Sequence, residues 1–181
     1  MLLCCKSIVL GDSHVGKTTF LRNIVSEGGG VPAETIGIDF RFVSGFPKAR
    51  VMLWDVSGRE LFRPIIKPHY RNTHVVFFLY DVSKRASFLN IPLWYKEYQA
   101  LATPKTMILV ANQRTPAMVD SEEGAALAKR LGMRYVETNV MVDETEWVLD
   151  LYKNVLPLLR VPKQTKPNVP RGCFSTWLIK I

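Results

Sequence analysis

The fold of this chain is decided by Ser7-Ile8-Val9-Leu10-Gly11-Asp12-Ser13-His14-Val15-Gly16-Lys17-Thr18-Thr19, where an apolar run leads directly into the pattern G-x-x-x-x-G-K-[ST]. The run predicts a strand, and residues 17–26 have the period of a helix. Backbone N–H groups at a helix start attract anions, and glycines allow close approach. We predict a phosphate-binding loop over residues 11–19, in which Lys17 reaches the β- and γ-phosphates and Thr18 ligates Mg²⁺. The alternative is a glycine turn with an incidental lysine.

The rest of the chain alternates between short apolar runs and stretches of helical period. Further strand-like runs lie at residues 38–43, 50–56, 75–82, 107–111 and 134–136. This alternation predicts an α/β fold with a mostly parallel sheet that helices cover on both faces.

Two helix starts are indicated by capping residues. Asp120 is followed three positions later by Glu123, and Asp143 by Glu146, each a capping-box spacing. Gly132 predicts the end of the first of these helices.

Two prolines bear on other helix boundaries. The stretch 86–101 has a helical pattern with Pro92 inside it, so that helix either begins late or kinks. The last helix carries one apolar stripe, and Pro157 is expected to end it. The stripe consists of Val148, Leu151, Tyr152 and Val155.

Length and charge predict one domain followed by a tail. The 181 residues (20.6 kDa, formal charge +8) divide into a domain over residues 1–160 and a basic, proline-containing tail over residues 161–181. Six basic residues follow Asp150 and no acidic one does. We therefore expect no nucleic-acid binding by the domain and a contact of the last helix and tail with an anionic membrane surface or an acidic partner.

Cysteines and hydropathy predict the compartment. Cys4, Cys5 and Cys173 form no CxxC pair, which indicates a reducing intracellular environment, with the first two as small apolar residues of the first strand. No signal peptide and no membrane-spanning run is predicted. We expect a cytoplasmic protein that is peripheral on membranes at most.

A second chemical motif follows the phosphate loop. Asp55-x-x-Gly58 ends an apolar strand, which places a carboxylate near Mg²⁺ and a glycine N–H near a γ-phosphate. Thr35 lies between the two motifs, so the three form one predicted constellation.

Several segments together resemble the Rab family of Ras-superfamily small GTPases, over residues 5–160. The matching segments are Thr35-Ile36-Gly37-Ile38-Asp39-Phe40, Trp54-Asp55-Val56-Ser57-Gly58-Arg59-Glu60, His69-Tyr70-Arg71, Leu79-Tyr80-Asp81-Val82-Ser83 and Ser87-Phe88-Leu89-Asn90-Ile91 with Trp94. The resemblance implies a P-loop NTPase with a six-stranded sheet. It also implies GTP or GDP and Mg²⁺ as ligands, Rab-type effectors and regulators as partners, a monomer, and a switch in vesicle traffic on endomembranes.

Individual roles follow from the resemblance. Thr35 and Asp55 would join Thr18 as Mg²⁺ ligands, and Gly58 would sense the γ-phosphate. The effector surface would comprise Ile36, Phe40, Trp54 and His69. The alternative for the aromatic residues is that they merely pack on the sheet.

The base-recognition motifs depart from the family pattern. Where the family has Asn-Lys-x-Asp, this chain has Asn112-Gln113-Arg114-Thr115, without the carboxylate that accepts from guanine N1 and N2. Leaving those donors poorly paired costs about 1–3 kcal/mol. In Glu137-Thr138-Asn139-Val140 the frame is kept, and the base-binding residues would be Asn112, Gln113, Thr115, Thr138, Asn139 and Val140. The segment 27–32 lacks the aromatic residue that stacks on the base.

The residue at the position that supports hydrolysis also differs from the family pattern. Arg59 stands where the family has the glutamine that orients the attacking water, so hydrolysis is expected at about 10⁻⁴ per second or below. The alternative is that Arg59 points to solvent. His14 replaces a glycine and requires a less favourable backbone angle; it is either a surface imidazole or a catalytic group.

Three classes of function remain open. The first is a divergent Rab-like GTPase, and the second is a pseudo-GTPase that acts as a protein-interaction scaffold. The third, a P-loop ATPase or kinase, is disfavoured because the Rab-like motifs lie in register with the phosphate loop. The last four residues contain no cysteine, so family-type prenylation is not expected, and Cys173 is a candidate for palmitoylation.

Overall fold

One six-stranded sheet organises the structure, a computed structural model that describes residues 2–26, 32–104, 106–142 and 146–159. Its strands are β1 Leu3–Leu10, β2 Ile38–Val43, β3 Ala49–Val56, β4 Val75–Asp81, β5 Thr106–Asn112 and β6 Arg134–Thr138. The order is β2-β3-β1-β4-β5-β6, with β2 and β3 antiparallel and every other neighbouring pair parallel. The predicted six-stranded, mostly parallel sheet is confirmed.

Helices cover both faces of this sheet. They are α1 Lys17–Ile24, α2 Arg63–Ile66, α3 Arg85–Leu89, α4 Ile91–Gln99, α5 Ser121–Leu131 and α6 Glu146–Val155, with 3₁₀ turns at Glu60–Phe62, Lys67–Tyr70 and Leu156–Leu158. Buried side chains of α1 and α6 pack in one apolar cluster, and those of α4 and α5 in another. The two-sided covering is therefore also confirmed.

The central strands explain why the sheet needs helices on both faces. All seven residues of β4 are buried. In β1, Cys5 and Val9 face the cluster of α1 and α6, whereas Ile8 and Leu10 face the cluster of α4 and α5. A strand buried on both faces gives the continuous apolar run seen in the sequence.

The first strand begins earlier than its apolar run. Pairing of Leu3 with Ala49 extends β1 four residues before Ser7, past the polar Lys6. The Lys6 ammonium donates to the carbonyl oxygens of His69 and Arg71, so a half-buried lysine is tolerated there. The apolar run by itself therefore begins too late, whereas the expectation that Cys4 and Cys5 lie in the first strand is confirmed, although Cys4 is exposed.

The capping prediction for α5 is confirmed in position, and one of its two predicted contacts is formed. Asp120 directly precedes the helix, and Gly132 ends it at φ 68°, but the Asp120 side chain makes no cap hydrogen bond. The Glu123 carboxylate accepts a hydrogen bond from the backbone N–H of Asp120, as in a capping box, and also binds the Arg85 guanidinium through two contacts of 2.6 Å. A charge-assisted pair with a distant arginine therefore holds Glu123. Asp143 lies outside the described residues.

The two prolines behave as helix-start and helix-end residues. The stretch 86–101 forms two helices, α3 and α4, which meet at Asn90. Pro92 lies in the first turn of α4, where the backbone N–H that it lacks would have no helical partner. The four stripe residues of α6 are buried as predicted. That helix ends at Val155, and Pro157 lies in the following 3₁₀ turn.

Candidate functional site

The phosphate loop joins β1 to α1 and has the strained backbone expected of it. Gly16 has a φ of 103°, and a Cβ there would lie 2.8 Å from Nδ2 of Asn112. His14 has a φ of 59°, a left-handed conformation that is unfavourable for a residue with a side chain. The loop therefore carries conformational strain that its neighbours must hold in place.

Lys17 is the buried cation of this loop. It is 6% exposed, and its ammonium donates to the carbonyl oxygen of Asp12 at 2.6 Å. Burial lowers the pKa of Lys17 to about 8, although Asp55, Asp12 and Glu34 oppose the change by favouring the charged form. At neutral pH the side chain is therefore still mainly a cation, as a phosphate ligand needs.

Three oxygen-bearing side chains converge beside Lys17. The hydroxyls of Thr18 and Thr35 donate to Oδ2 of Asp55 at 2.7 and 3.0 Å, and the two hydroxyl oxygens are 3.0 Å apart. Oδ1 of Asp55 is buried with no hydrogen-bond partner. Burial raises the pKa of the Asp55 carboxyl, while the hydrogen bond from Thr18 and the charge of Lys17 work against this. An oxygen set with an unpartnered carboxylate atom fits a hard divalent cation such as Mg²⁺.

The Asp-x-x-Gly motif lies directly against the phosphate loop. A Cβ on Gly58 would overlap the backbone of Asp12 and Ser13, so only glycine fits this approach. The next residue, Arg59, is 54% exposed, and its guanidinium lies 3.7 Å from the carboxylate of Glu34. The other carboxylate oxygen of Glu34 lies 3.9 Å from Nε2 of His14. Arg59 and His14, the two unusual residues, thus face the same carboxylate at the mouth of the site.

A cavity of about 430 Å³ connects these groups. Its walls include Ser13, Lys17, Thr18, Thr35 and Gly58. His14, Gly16 and Thr19 line it as well, so eight residues of the predicted phosphate and metal set share one cavity. Asp12 does not line it, and Gly11, Val15 and Asp55 are buried.

Asp12 has a role that its motif position did not reveal. Its carboxylate accepts from the Trp94 indole at 2.8 Å and from the Asn90 amide at 2.7 Å, both at or near the start of α4. The Arg63 guanidinium lies 3.6 Å from the ring centre of Trp94 and pairs with Glu97 at 2.8 Å. The phosphate loop is thus fixed to α4 through the side chain of Asp12.

A second cavity, of about 490 Å³, adjoins the first where base recognition was predicted. Gln113, Thr115 and Asn139 line it. Asn112, Thr138 and Val140 are buried and do not line it. We call it the base cavity; it shares His14 and Arg114 with the phosphate cavity.

The polar groups around the base cavity are largely engaged with protein atoms. Nδ2 of Asn112 donates to the carbonyl of Val15 at 2.8 Å, and its Oδ1 accepts from the N–H of Val140 at 3.3 Å. The amide of Gln113 donates to Glu137 at 3.1 Å. Asn112 therefore supports the loop between β1 and α1, and Gln113 points to the neighbouring strand.

The base cavity also contains charged residues that the motifs did not single out. They are Asp81, Lys84 and Arg114. Asp81 is 1% exposed; its Oδ1 accepts two hydrogen bonds from Ser83, and its Oδ2 lies 3.5 Å from Nε of Arg114. Asp81 is thus the only carboxylate among the described lining residues, and Ser83 and Arg114 already contact it. The nearest sequence signals were Asp81 in the family-like segment 79–83 and Arg114 within the altered base motif.

The predicted effector residues form a ring stack on the outer face of the sheet. Ring centres of Phe40 and Trp54 are 5.5 Å apart, and those of Trp54 and His69 are 5.1 Å apart. Phe40 and Ile36 are 50% and 81% exposed. Phe42, 49% exposed, extends this stack and was missed. Ile36, Phe40 and Phe42 are therefore open to solvent, whereas Trp54 and His69 are half-buried and Trp54 packs against the apolar cluster of α4 and α5.

The fold and the two cavities define a phosphate-loop protein of the α/β nucleotide-binding class. Residues 6–156 match the family model described as the Ras family. The chain belongs to this family and is a Rab-like small GTPase by its similarity to Rab-named relatives.

Three relatives illustrate the extent of the similarity. Human Ras-related protein Rab-26 is 34% identical over 177 residues, which cover 92% of this chain and 68% of that protein. RABC2b of Arabidopsis thaliana is 34% identical, with 99% and 80% covered. RABA6b of the same plant is 29% identical over 77% of this chain, and the match spans only 64% of RABA6b. In the described part of the chain, no helix combines the length and the apolar character that crossing a membrane requires.

Proposed function

We propose that this chain is a divergent Rab-type GTPase that binds GTP and GDP with Mg²⁺ and acts as a switch in vesicle-mediated protein transport. The observation that carries the proposal is the convergence of Thr18 and Thr35 on Asp55, beside the cavity that Lys17, Thr18 and Thr35 line. Thr35 comes from a segment distant from the loop between β1 and α1. Shared coordination of one metal ion by Thr18, Thr35 and Asp55 would couple the position of Thr35 to the ligand that is bound.

Each residue of the phosphate side has a defined task in this proposal. Lys17 would bind phosphate oxygens by charge, and the N–H groups of the loop would orient them. Thr18, Thr35 and Asp55 would hold Mg²⁺, which supplies charge neutralisation when bound. Gly58 would report the γ-phosphate because its backbone lies against Asp12 and Ser13.

Slow hydrolysis is part of the proposal. The Arg59 guanidinium has donors only and cannot accept a proton from water. Its position 3.7 Å from Glu34 supports a role in holding the two segments together rather than in orienting water. We therefore expect a long-lived triphosphate complex.

Weakened guanine selectivity is supported by the chemistry of the base cavity. Guanine presents N1 and N2 donors, whereas Thr115 offers a short hydroxyl and Asp81 is already paired with Arg114. Neither replaces a free carboxylate as an acceptor. The proposed preference for guanine is correspondingly small.

The experiment is thermal unfolding of the full chain with Mg²⁺ and GTP, ATP or XTP, together with identification of any nucleotide released from the purified protein. Comparable shifts with the three triphosphates are expected. A large shift with GTP alone contradicts the relaxed selectivity, and no shift with any of them contradicts nucleotide binding.

A scaffold without a nucleotide-driven switch is the second candidate. The contacts of Glu34 with Arg59 and His14 favour it, since they join the segment that holds Thr35 and the segment after Gly58 to the phosphate loop through protein atoms. Partner capture by Lys17→Ala distinguishes the two functions. A scaffold retains its partners in that variant, whereas a switch loses those that require the triphosphate form.

The location of the protein belongs to the same proposal. Rab-type function would place it on the cytoplasmic side of endomembranes as a peripheral protein and a monomer. The basic tail over residues 161–181, which lies outside the described residues, would meet the anionic surface by charge. Sedimentation with vesicles containing phosphatidylserine, at low and high salt, tests this contact.

A further inference from the structure

Lys84 is a charged residue of the base cavity that no sequence motif assigns to a task. It lies between β4 and α3, and its ammonium donates to the carbonyl oxygen of His14 at 3.0 Å, across 70 positions of sequence. It also lines the cavity where the base would bind. One side chain therefore contacts the phosphate loop and borders the base cavity.

The backbone of Lys84 is firmly anchored although its side chain is exposed. Its N–H donates to the carbonyl of Asp81 at 2.9 Å, and its own carbonyl accepts from the Ser87 hydroxyl at 2.7 Å. Asp81 and Ser87 are 1% and 3% exposed. The side chain thus begins at a fixed point, which lowers the entropy lost when its end is held.

The carbonyl that Lys84 holds belongs to the strained residue of the loop. His14 is in the left-handed region, and the following carbonyl, that of Val15, is held by Asn112. Two successive carbonyls are therefore fixed by side chains at the ends of two neighbouring strands. Because a trans peptide is planar, fixing the carbonyl of His14 also fixes the direction of the N–H of Val15.

Gln113 stands where the family has a lysine, but its side chain is directed toward β6. Its amide donates to Glu137 on β6. The long aliphatic cover that a lysine would give the base is therefore not supplied from that position. The four-carbon chain of Lys84 lies on the wall of the same cavity and has the length and apolar surface for it.

We propose that Lys84 is a positioning residue for the nucleotide: its ammonium holds the phosphate loop at His14, and its aliphatic chain covers one side of the bound base. The proposal rests on the proposed nucleotide-binding function. Neither contact distinguishes guanine from adenine, so Lys84 raises affinity without restoring selectivity.

Titration calorimetry of the full chain separates the two parts. The probes are pyrophosphate and GDP, each with Mg²⁺, and the variants are Lys84→Ala, Lys84→Met and the control Lys129→Ala, an exposed lysine at the end of α5. Both Lys84 variants lose the donor, so we expect about tenfold weaker pyrophosphate binding in each. For GDP, Lys84→Met is expected to lose less than Lys84→Ala because methionine keeps an aliphatic chain.

Each outcome bears on a different claim. Unchanged pyrophosphate binding in Lys84→Ala overturns the contact with the loop, and equal losses of GDP binding in the two variants overturn the covering of the base. If the unaltered chain binds neither probe, the proposed function fails and this inference with it.

A second measurement needs no ligand. Hydrogen exchange at the N–H of Val15 is expected to be faster in both Lys84 variants than in Lys129→Ala. Equal rates in all three overturn the contact between Lys84 and the loop.

Discussion

The phosphate side and the base side of the site are built differently. On the phosphate side Lys17 and Asp55 are 6% and 1% exposed, and Thr18 and Thr35 both donate to Asp55. On the base side Thr115 is exposed and Gln113 and Arg114 are half-buried, with side-chain contacts to Glu137 and Asp81. Burial strengthens electrostatic contacts with a ligand, so the phosphate side is the stronger half.

The largest expected effect on this difference between the two sides comes from removing the buried cation, Lys17. Lys17→Met keeps most of the volume and removes the charge, so binding of Mg²⁺–GDP and Mg²⁺–GTP should weaken about 100-fold or more. Titration calorimetry measures this, with Lys153→Met on the exposed face of α6 as the control. A loss of less than threefold would show that the buried half does not dominate.

The base side can be strengthened with one carboxylate. Thr115→Asp supplies an acceptor for guanine N1 and N2, and the ratio of GDP to ADP affinity should rise about ten- to a hundredfold. Thr115→Asn is the matched control because it has the same size without the charge. An equal ratio in both variants would mean that position 115 does not face the base.

Hydrolysis tests whether Arg59 limits turnover. Arg59→Gln restores an amide that can orient water, so single-turnover phosphate release from GTP should rise about tenfold. Arg59→Ala also breaks the contact with Glu34 but supplies no amide, and should give no rise. An equal rise in both variants would mean that the contact with Glu34 sets the rate, and no rise in either would mean that Arg59 does not limit turnover.

The smallest expected effect concerns Glu97. It pairs with Arg63, whose guanidinium lies over the ring of Trp94, and Trp94 in turn donates to Asp12 of the phosphate loop. Burial alone would raise the pKa of Glu97, but hydrogen bonds from Tyr70 and Arg63 outweigh it, and the pKa is lowered. Because the folded pKa is below the unfolded one, this stabilisation is present above the unfolded pKa. It is lost as the pH falls through the folded pKa.

Glu97→Gln should therefore cost about 1 kcal/mol at pH 7 and lose its effect in acid. Urea unfolding of both proteins at pH 7 and at successively lower pH measures the difference. Glu122→Gln, on the exposed first turn of α5, is the control. A cost that is independent of pH would show that the carboxylate charge is not the stabilising feature.

The sequence predicted most of the sheet and the phosphate side because both leave local signals. Strand runs, the glycine pattern and the helix period lie within short windows, and a buried parallel strand such as β4 has to be apolar throughout. Distant partners of polar residues leave no such signal. Lys6 extends β1 because its ammonium binds the carbonyl of His69, and Glu123 pairs with Arg85 in addition to its contact at the start of α5.

By itself, then, the sequence determined the α/β fold, the phosphate loop and the loss of a carboxylate at Thr115. Only the tertiary structure decided what holds that loop: Asp12 on Trp94, Asn112 on Val15 and Lys84 on His14. Each of these contacts joins residues 70 or more positions apart. Local patterns report propensity and burial, whereas the direction of a polar side chain depends on which distant atoms the folded chain brings within hydrogen-bond reach.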